Sequence, residues 1–242
     1  MSIVAIIGGS GLDVIKDLEI TSRKVVRTPY GDPSGIVTAG SLYGKSFVFL
    51  PRHGSQHTIP PHKINYRANI WALKDYGVDT IIAFAAVGAI DDSLPSGAIV
   101  IPDQLIDYTW GREHTFYDGK SESVQHVEFD APYSELTRHQ LIEAAIKANV
   151  SARTEGTYAV TQGPRFETPA EIVKLERDGA TIVGMTGMPE AILARELQID
   201  YACVAIVVNP AAGKGDEAIS IEKIKVVLKT GSATALSILE YF

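Results

Sequence analysis

The stretch Asn65-Tyr66-Arg67-Ala68-Asn69-Ile70-Trp71-Ala72-Leu73-Lys74-Asp75-Tyr76-Gly77, followed by Val78-Asp79-Thr80-Ile81-Ile82-Ala83-Phe84-Ala85-Ala86-Val87, reads as two elements joined at a glycine. Asn65–Tyr76 predicts a helix, and Gly77 stands where a left-handed cap stops it. Val78–Val87 carries apolar residues on both faces, so it predicts a strand covered on both sides, at the centre of a sheet. A helix returning to a doubly covered strand is the unit of an α/β fold.

The same alternation extends outward. Ser2–Ile7 predicts a first strand, ending in Gly8-Gly9-Ser10-Gly11. Gly35–Leu50 predicts a hairpin that turns at Tyr43-Gly44-Lys45. Gly97–Ile106 reads as a strand, and Ser134–Ala148 as an amphipathic helix with Leu136, Leu141, Ala145 and Ile146 on its apolar face. Further strands are expected at Gly156–Thr161, Thr181–Thr186 and Tyr201–Asn209. Thr168-Pro169-Ala170-Glu171 is a capping box with proline at the first helical position, so a helix starts there. Pro189–Leu197 and Ser220–Leu239 complete the helices. No repeat or linker interrupts residues 1–242, which predicts one α/β domain. Asp107–Ser134 is the least regular stretch, and long irregular loops are usually functional or contact a partner.

Composition narrows the function. The 242 residues carry 29 acidic and 22 basic side chains, a formal charge of −7. That balance argues against binding nucleic acid or an anionic membrane as a whole, while leaving room for a local small-anion site. Ile3–Ile7 is too short for a signal peptide, and the longest apolar run, Ile81–Ile90, is well short of the roughly 18–20 residues that span a bilayer. A cytoplasmic protein is expected. The lone Cys203, within Ala202–Val208, reads as a buried strand residue.

Several polar residues are expected at strand ends, where α/β sheets bind ligands. Gly8-Gly9-Ser10-Gly11 is either a tight turn or an anion cradle of backbone N–H groups with a serine hydroxyl. It is not a dinucleotide fingerprint, because Val14 occupies the third glycine position. Arg52-His53 directly follows a strand, where an arginine fork suits phosphate oxygens. His53, His57 and His62 also allow a metal-dependent hydrolase, although Gly54 and Pro60-Pro61 oppose presenting them on one helix face. Phe166, Glu167, Met185, Thr186 and Asn209 lie at other strand ends. Together these residues suit a phosphate plus a planar heterocycle.

These motifs resemble the trimeric purine nucleoside phosphorylase family and, within it, the branch acting on methylthio nucleosides. The resemblance lies in Ile6-Ile7-Gly8-Gly9-Ser10-Gly11-Leu12, Arg52–Pro60, Asn65–Lys74, Gly163–Glu171 and Met185–Glu190, and it extends over essentially the whole chain. It implies a mixed, partly barrel-like sheet flanked by helices. It also implies cleavage of an N-glycosidic bond by inorganic phosphate as co-substrate, with no other cofactor and no metal. A homotrimer, or a dimer of trimers, is the implied assembly. Phosphate would be held by Ser10, Arg52, His53, the backbone at Ala85 and Ala86, and Thr186. Met185 would lie against the ribose and Phe166 against the purine.

The base pocket departs from the adenine-cleaving branch. That branch has an Asp-x-Asp pair where this chain has Asn209-Pro210-Ala211, and a serine where this chain has Glu167. A 6-oxopurine offers an acceptor at O6 and a donor at N1, which Asn209 and Glu167 match. Asn209 would also stabilise the leaving purine. Near the 5′ position, Ile221 and Ile224 replace a polar histidine and suit a methylthio group, while His126 matches a position that reaches a neighbouring subunit's site. The expected reaction releases hypoxanthine and 5-methylthioribose 1-phosphate from S-methyl-5′-thioinosine. Inosine/guanosine phosphorolysis and 5′-methylthioadenosine phosphorolysis are the alternatives within the family.

Overall fold

The computed structural model describes residues 2–119, 123 and 125–242. In chain order its strands are β1 (Val4–Gly8), β2 (Glu19–Lys24), β3 (Val37–Leu42), β4 (Lys45–Pro51), β5 (Thr80–Ala89), β6 (Ile99–Val100), β7 (Gln104–Asp107), β8 (Ala152–Arg153), β9 (Thr157–Val160), β10 (Ile182–Gly184) and β11 (Asp200–Pro210). The helices are α1 (Tyr66–Tyr76), α2 (Glu135–Lys147), α3 (Pro169–Arg177), α4 (Gly187–Glu196) and α5 (Ile221–Ser237).

The αβ unit anticipated from the sequence is present. Asn65 caps α1 by accepting a hydrogen bond from the Ala68 amide, and Gly77 ends it at φ 92°. β5 is central, with β1 parallel along Thr80–Ala83 on one edge and β11 parallel along nearly its whole length on the other. Beyond Ala83, the first edge is taken over by antiparallel β10 at Gly88 and Ala89. The pairings then run from β10 to β9, from β9 to β7, from β6 to β11, and back to β5. β6 and β7 are not paired with each other but follow one another in the chain, so the strands on one side of β5 form a partly closed ring, and β1-β4-β3-β2 extends from the other. This is the mixed, partly barrel-like sheet.

Closure explains one correction. Gly97–Ile106 is not one strand but two, β6 and β7, separated around Pro102, which has no N–H to donate. The first half pairs with β11 and β8, and the second with β9. A second correction concerns α2. Leu136 and Ile146 point to solvent, and the buried face carries Thr137, Arg138, Leu141, Ala144 and Ala145. Arg138 turns inward because its guanidinium serves the strand breaks, donating to Pro102 O at 3.0 Å and Thr154 O at 2.5 Å. Unpaired buried carbonyls are costly, and the guanidinium removes that cost. The sequence reading also missed β2, an exposed edge strand without apolar alternation that pairs only with β3.

The capping box forms as expected. Thr168 Oγ1 accepts from the Glu171 amide, and Glu171 returns the bond to the Thr168 amide at 2.7 Å. Between β7 and α2, no helix or strand forms among the described residues.

Candidate active site

β1 and β4 run parallel, with Gly8 opposite Pro51, so the glycine turn and Arg52 emerge side by side. The Arg52 amide donates to Gly8 O at 2.9 Å. A Cβ on Gly9 would lie 2.5 Å from Phe84 O and 2.8 Å from Arg52 Nη1, so only glycine lets the turn approach the guanidinium.

Arg52 is buried, and three of its five N–H groups are engaged. Nη1 donates to Phe84 O at 2.7 Å, while Nε and Nη2 donate to the two oxygens of Glu190 at 2.7 and 2.6 Å. Glu190, on α4, is inaccessible to solvent and also accepts from Tyr201 Oη at 2.9 Å. Burial works against the Arg52 cation, but the charge and hydrogen bonds of Glu190 outweigh it and hold the guanidinium firmly protonated. A guanidinium has five N–H donors, so two remain for a ligand. Glu190 was quoted in the sequence only as part of the Met185–Glu190 motif. A carboxylate in the first turn of a helix carries no local sign that an arginine from another strand will meet it.

Beside Arg52, His53 Nδ1 lies 2.8 Å from Ile59 O, which assigns its proton to Nδ1 and leaves Nε2 as an acceptor. Burial, reinforced by the Arg52 charge, lowers its pKa to about 4, so the ring is neutral at physiological pH. His57 packs against it with ring centroids 4.5 Å apart and the rings tilted by 32°, and bonds Asp13 Oδ1 at 2.8 Å, which raises its pKa. That pair ties the loop after β1 to the loop after β4.

Residues Ala85 and Ala86 lie inside β5, which runs two residues beyond the expected Val87. They reach the site because β1 has left that edge and β10 has not yet joined it. Phe84 O faces this gap toward Arg52, and strand alternation turns the Ala86 N–H to the same side. Met185 and the buried Thr186 arrive from the end of β10.

At the opposite end, Phe166 and Glu167 follow β9, and Asn209 ends β11. Glu167 Oε1 accepts from Thr161 Oγ1 at 2.6 Å. Asn209 Nδ2 donates to Pro210 O at 2.5 Å. Ala211 is buried beside Gly88. Arg112, from the irregular stretch, is buried and gathers the main chain behind these residues. It donates to Met185 O at 2.9 Å, Met188 O at 2.6 Å and Gln162 O at 2.8 Å. The sequence reading singled out that stretch but not this arginine.

One cavity of about 1090 Å³ takes in both ends, and Ile221 and Ile224 of α5 line it as well. Every expected site residue lines it except His126, which is exposed elsewhere on its own chain. Of the three histidines, His53 and His57 line the cavity and His62 does not. Among the described residues, no group of three His, Cys, Asp or Glu is placed to hold a metal ion.

Comparison with known proteins agrees with this geometry. Residues 3–242 match the phosphorylase superfamily. A probable S-methyl-5′-thioinosine phosphorylase of Pseudomonas syringae pv. tomato is 50% identical over 231 residues, covering 96% of this chain and 94% of that protein. The 6-oxopurine nucleoside phosphorylase of Pyrococcus furiosus is 48% identical over 217 residues, covering 87% and 80%. Among solved structures, methylthioadenosine phosphorylase from Schistosoma mansoni, in complex with adenine, superposes with a TM-score of 0.96. It is 35% identical, with 100% of this chain and 90% of that one covered.

Proposed function

This chain belongs to the phosphorylase superfamily, and from that membership we propose that it cleaves S-methyl-5′-thioinosine with inorganic phosphate, releasing hypoxanthine and 5-methylthioribose 1-phosphate. The relatives' names support a purine nucleoside phosphorylase and hence a pentosyltransferase. The observation that carries the 6-oxopurine choice is Glu167, held as an acceptor by Thr161, in one cavity with Asn209.

Phosphate enters between Ser10, the two free N–H groups of Arg52, the Ala86 amide and Thr186. His53 Nε2 accepts a hydrogen bond from a protonated phosphate oxygen, which suits a neutral ring. A phosphate oxygen then forms a bond to C1′ as the C1′–N9 bond breaks, and the electron pair moves into the purine. The proton that the phosphate gives up on becoming an ester reaches N7 through solvent. Asn209 Oδ1 accepts a hydrogen bond from that N7–H, and Glu167 accepts N1–H. Groups aimed at developing charge accelerate the step because they act more strongly on the transition state than on the substrate. Adenine would set an acceptor, N1, against Glu167. Mispaired buried polar groups can discriminate by as much as ~10⁴–10⁵.

Ile221 and Ile224 receive the methylthio group. An apolar pocket rejects an added hydroxyl only weakly, by about 10², so inosine is a slow substrate in this reading. Phosphate is the co-substrate, with no further cofactor. A homotrimer is the proposed assembly, in which His126 serves a neighbouring site. No helix among the described residues is long and apolar enough to cross a membrane, and a cytoplasmic location is proposed.

The test compares methylthioinosine, methylthioadenosine and inosine, each with and without phosphate. The expected order puts methylthioinosine first and shows no turnover without phosphate. Preference for methylthioadenosine would overturn the base assignment, and preference for inosine would overturn the 5′ assignment.

A further inference from the structure

We propose that Thr161 is a positioning residue for base selection: its hydroxyl holds one oxygen of Glu167 and leaves the other to read the purine edge. The inference rests on the proposed reading that Glu167 accepts N1–H of a 6-oxopurine.

The Thr161 hydroxyl has one proton and two acceptors within reach, Glu167 Oε1 at 2.6 Å and Gly184 O at 3.3 Å. The shorter contact falls in the range of a charge-assisted O–H···O⁻ bond. Gly184 O has no need of the hydroxyl, because it already accepts from the Thr161 amide at 2.8 Å. The hydroxyl is therefore free to serve Glu167.

Thr161 is itself rigidly placed. Its amide is tied to β10 through Gly184, its carbonyl accepts from Arg112 Nη2 at 3.2 Å, and a β-branched side chain has few χ1 options. Glu167 has the opposite character. It lies on the loop between β9 and α3, with several rotatable bonds, and would have to be ordered afresh by each arriving base. The bond from Thr161 orders it beforehand and occupies Oε1, which leaves Oε2 to meet the base as an acceptor. A purine with N1–H gains from that arrangement, and one with a bare N1 does not.

The experiment measures kcat/KM for methylthioinosine and methylthioadenosine, and hypoxanthine affinity by calorimetry, in wild type, Thr161→Val, Thr161→Ser and Glu167→Gln. Thr161→Val is expected to lower the methylthioinosine value and the hypoxanthine affinity about tenfold, the size of one hydrogen bond to a charged group. The methylthioadenosine value should stay the same, and Thr161→Ser should recover the methylthioinosine loss. If Thr161→Val lowers both substrates equally, or leaves their ratio unchanged while Glu167→Gln collapses it, the positioning role is wrong and the base reading stands. If Glu167→Gln leaves the ratio unchanged, both fall.

Discussion

Arg52 and Glu190 form a buried, two-pronged ion pair, with Nε and Nη2 of the guanidinium 2.7 and 2.6 Å from the two carboxylate oxygens. With His53 neutral beside it, the anion site offers aimed donors more than net positive charge. In the proposed reaction this suits an anion that arrives as inorganic phosphate and must leave as a sugar phosphate.

Removing one partner of such a pair strands the other charge away from water. Glu190→Ala is expected to destabilise the fold by about 3–5 kcal/mol, read from denaturant midpoints at constant slope. A loss below about 1 kcal/mol would mean that the pair contributes no more than a surface salt bridge.

In the proposed reading Asn209, which lines the cavity, supplies the donor that a 6-oxopurine needs. Asn209→Asp replaces that donor with an acceptor suited to a 6-amino group. The ratio of methylthioadenosine to methylthioinosine cleavage should rise about tenfold or more. An unchanged ratio would show that Asn209 does not read the base.

The depressed pKa of His53 has a consequence for stability. In the unfolded chain it takes a proton near 6.5, and in the folded chain near 4. Between those values the unfolded state binds more protons, so stability falls as pH drops from 6.5 toward 4 and is fully present above 6.5. His57 is raised by Asp13 and acts oppositely, its contribution being lost as pH climbs through its folded pKa. Urea midpoints measured from pH 7.5 to 4.5 should show a shallower acid decline in His53→Gln than in wild type. Parallel declines would assign the slope to other groups.

Cys203 is buried in β11, and burial raises its pKa to about 12. The thiolate is the reactive form. A disulfide reagent at pH 8 should leave the native protein unmodified and label one thiol after denaturation. Rapid labelling of the native state would contradict the burial.

Glycine and capping signals made much of the fold legible. Gly77 ends α1, Thr168–Glu171 starts α3, and the apolar run after Gly77 becomes the central strand. Such signals act within a few residues, so they survive without knowledge of partners. Gly97–Ile106 and the apolar face of α2 were misjudged because distant groups decided them, the ring closure across Pro102 and the carbonyls served by Arg138.

The candidate site divides the same way. Residue types at strand ends, together with a resemblance carried by whole motifs, marked Ser10, Arg52, His53, Phe166, Glu167 and Asn209 as candidates from the sequence by itself, and the fold brings them to one cavity. Only the tertiary structure decided what each is able to do. Arg52 keeps two donors because Glu190 and Phe84 take three, His53 is neutral because it is buried beside that cation, and Glu167 is an oriented acceptor because Thr161 holds it. Side-chain type is a property of the chain. Protonation, free valence and aim are properties of neighbours. Those of Arg52, Phe84 and Glu190, come from a strand and a helix far along the chain. Those of the His53 ring are set by how its own loop folds back through Ile59 and His57.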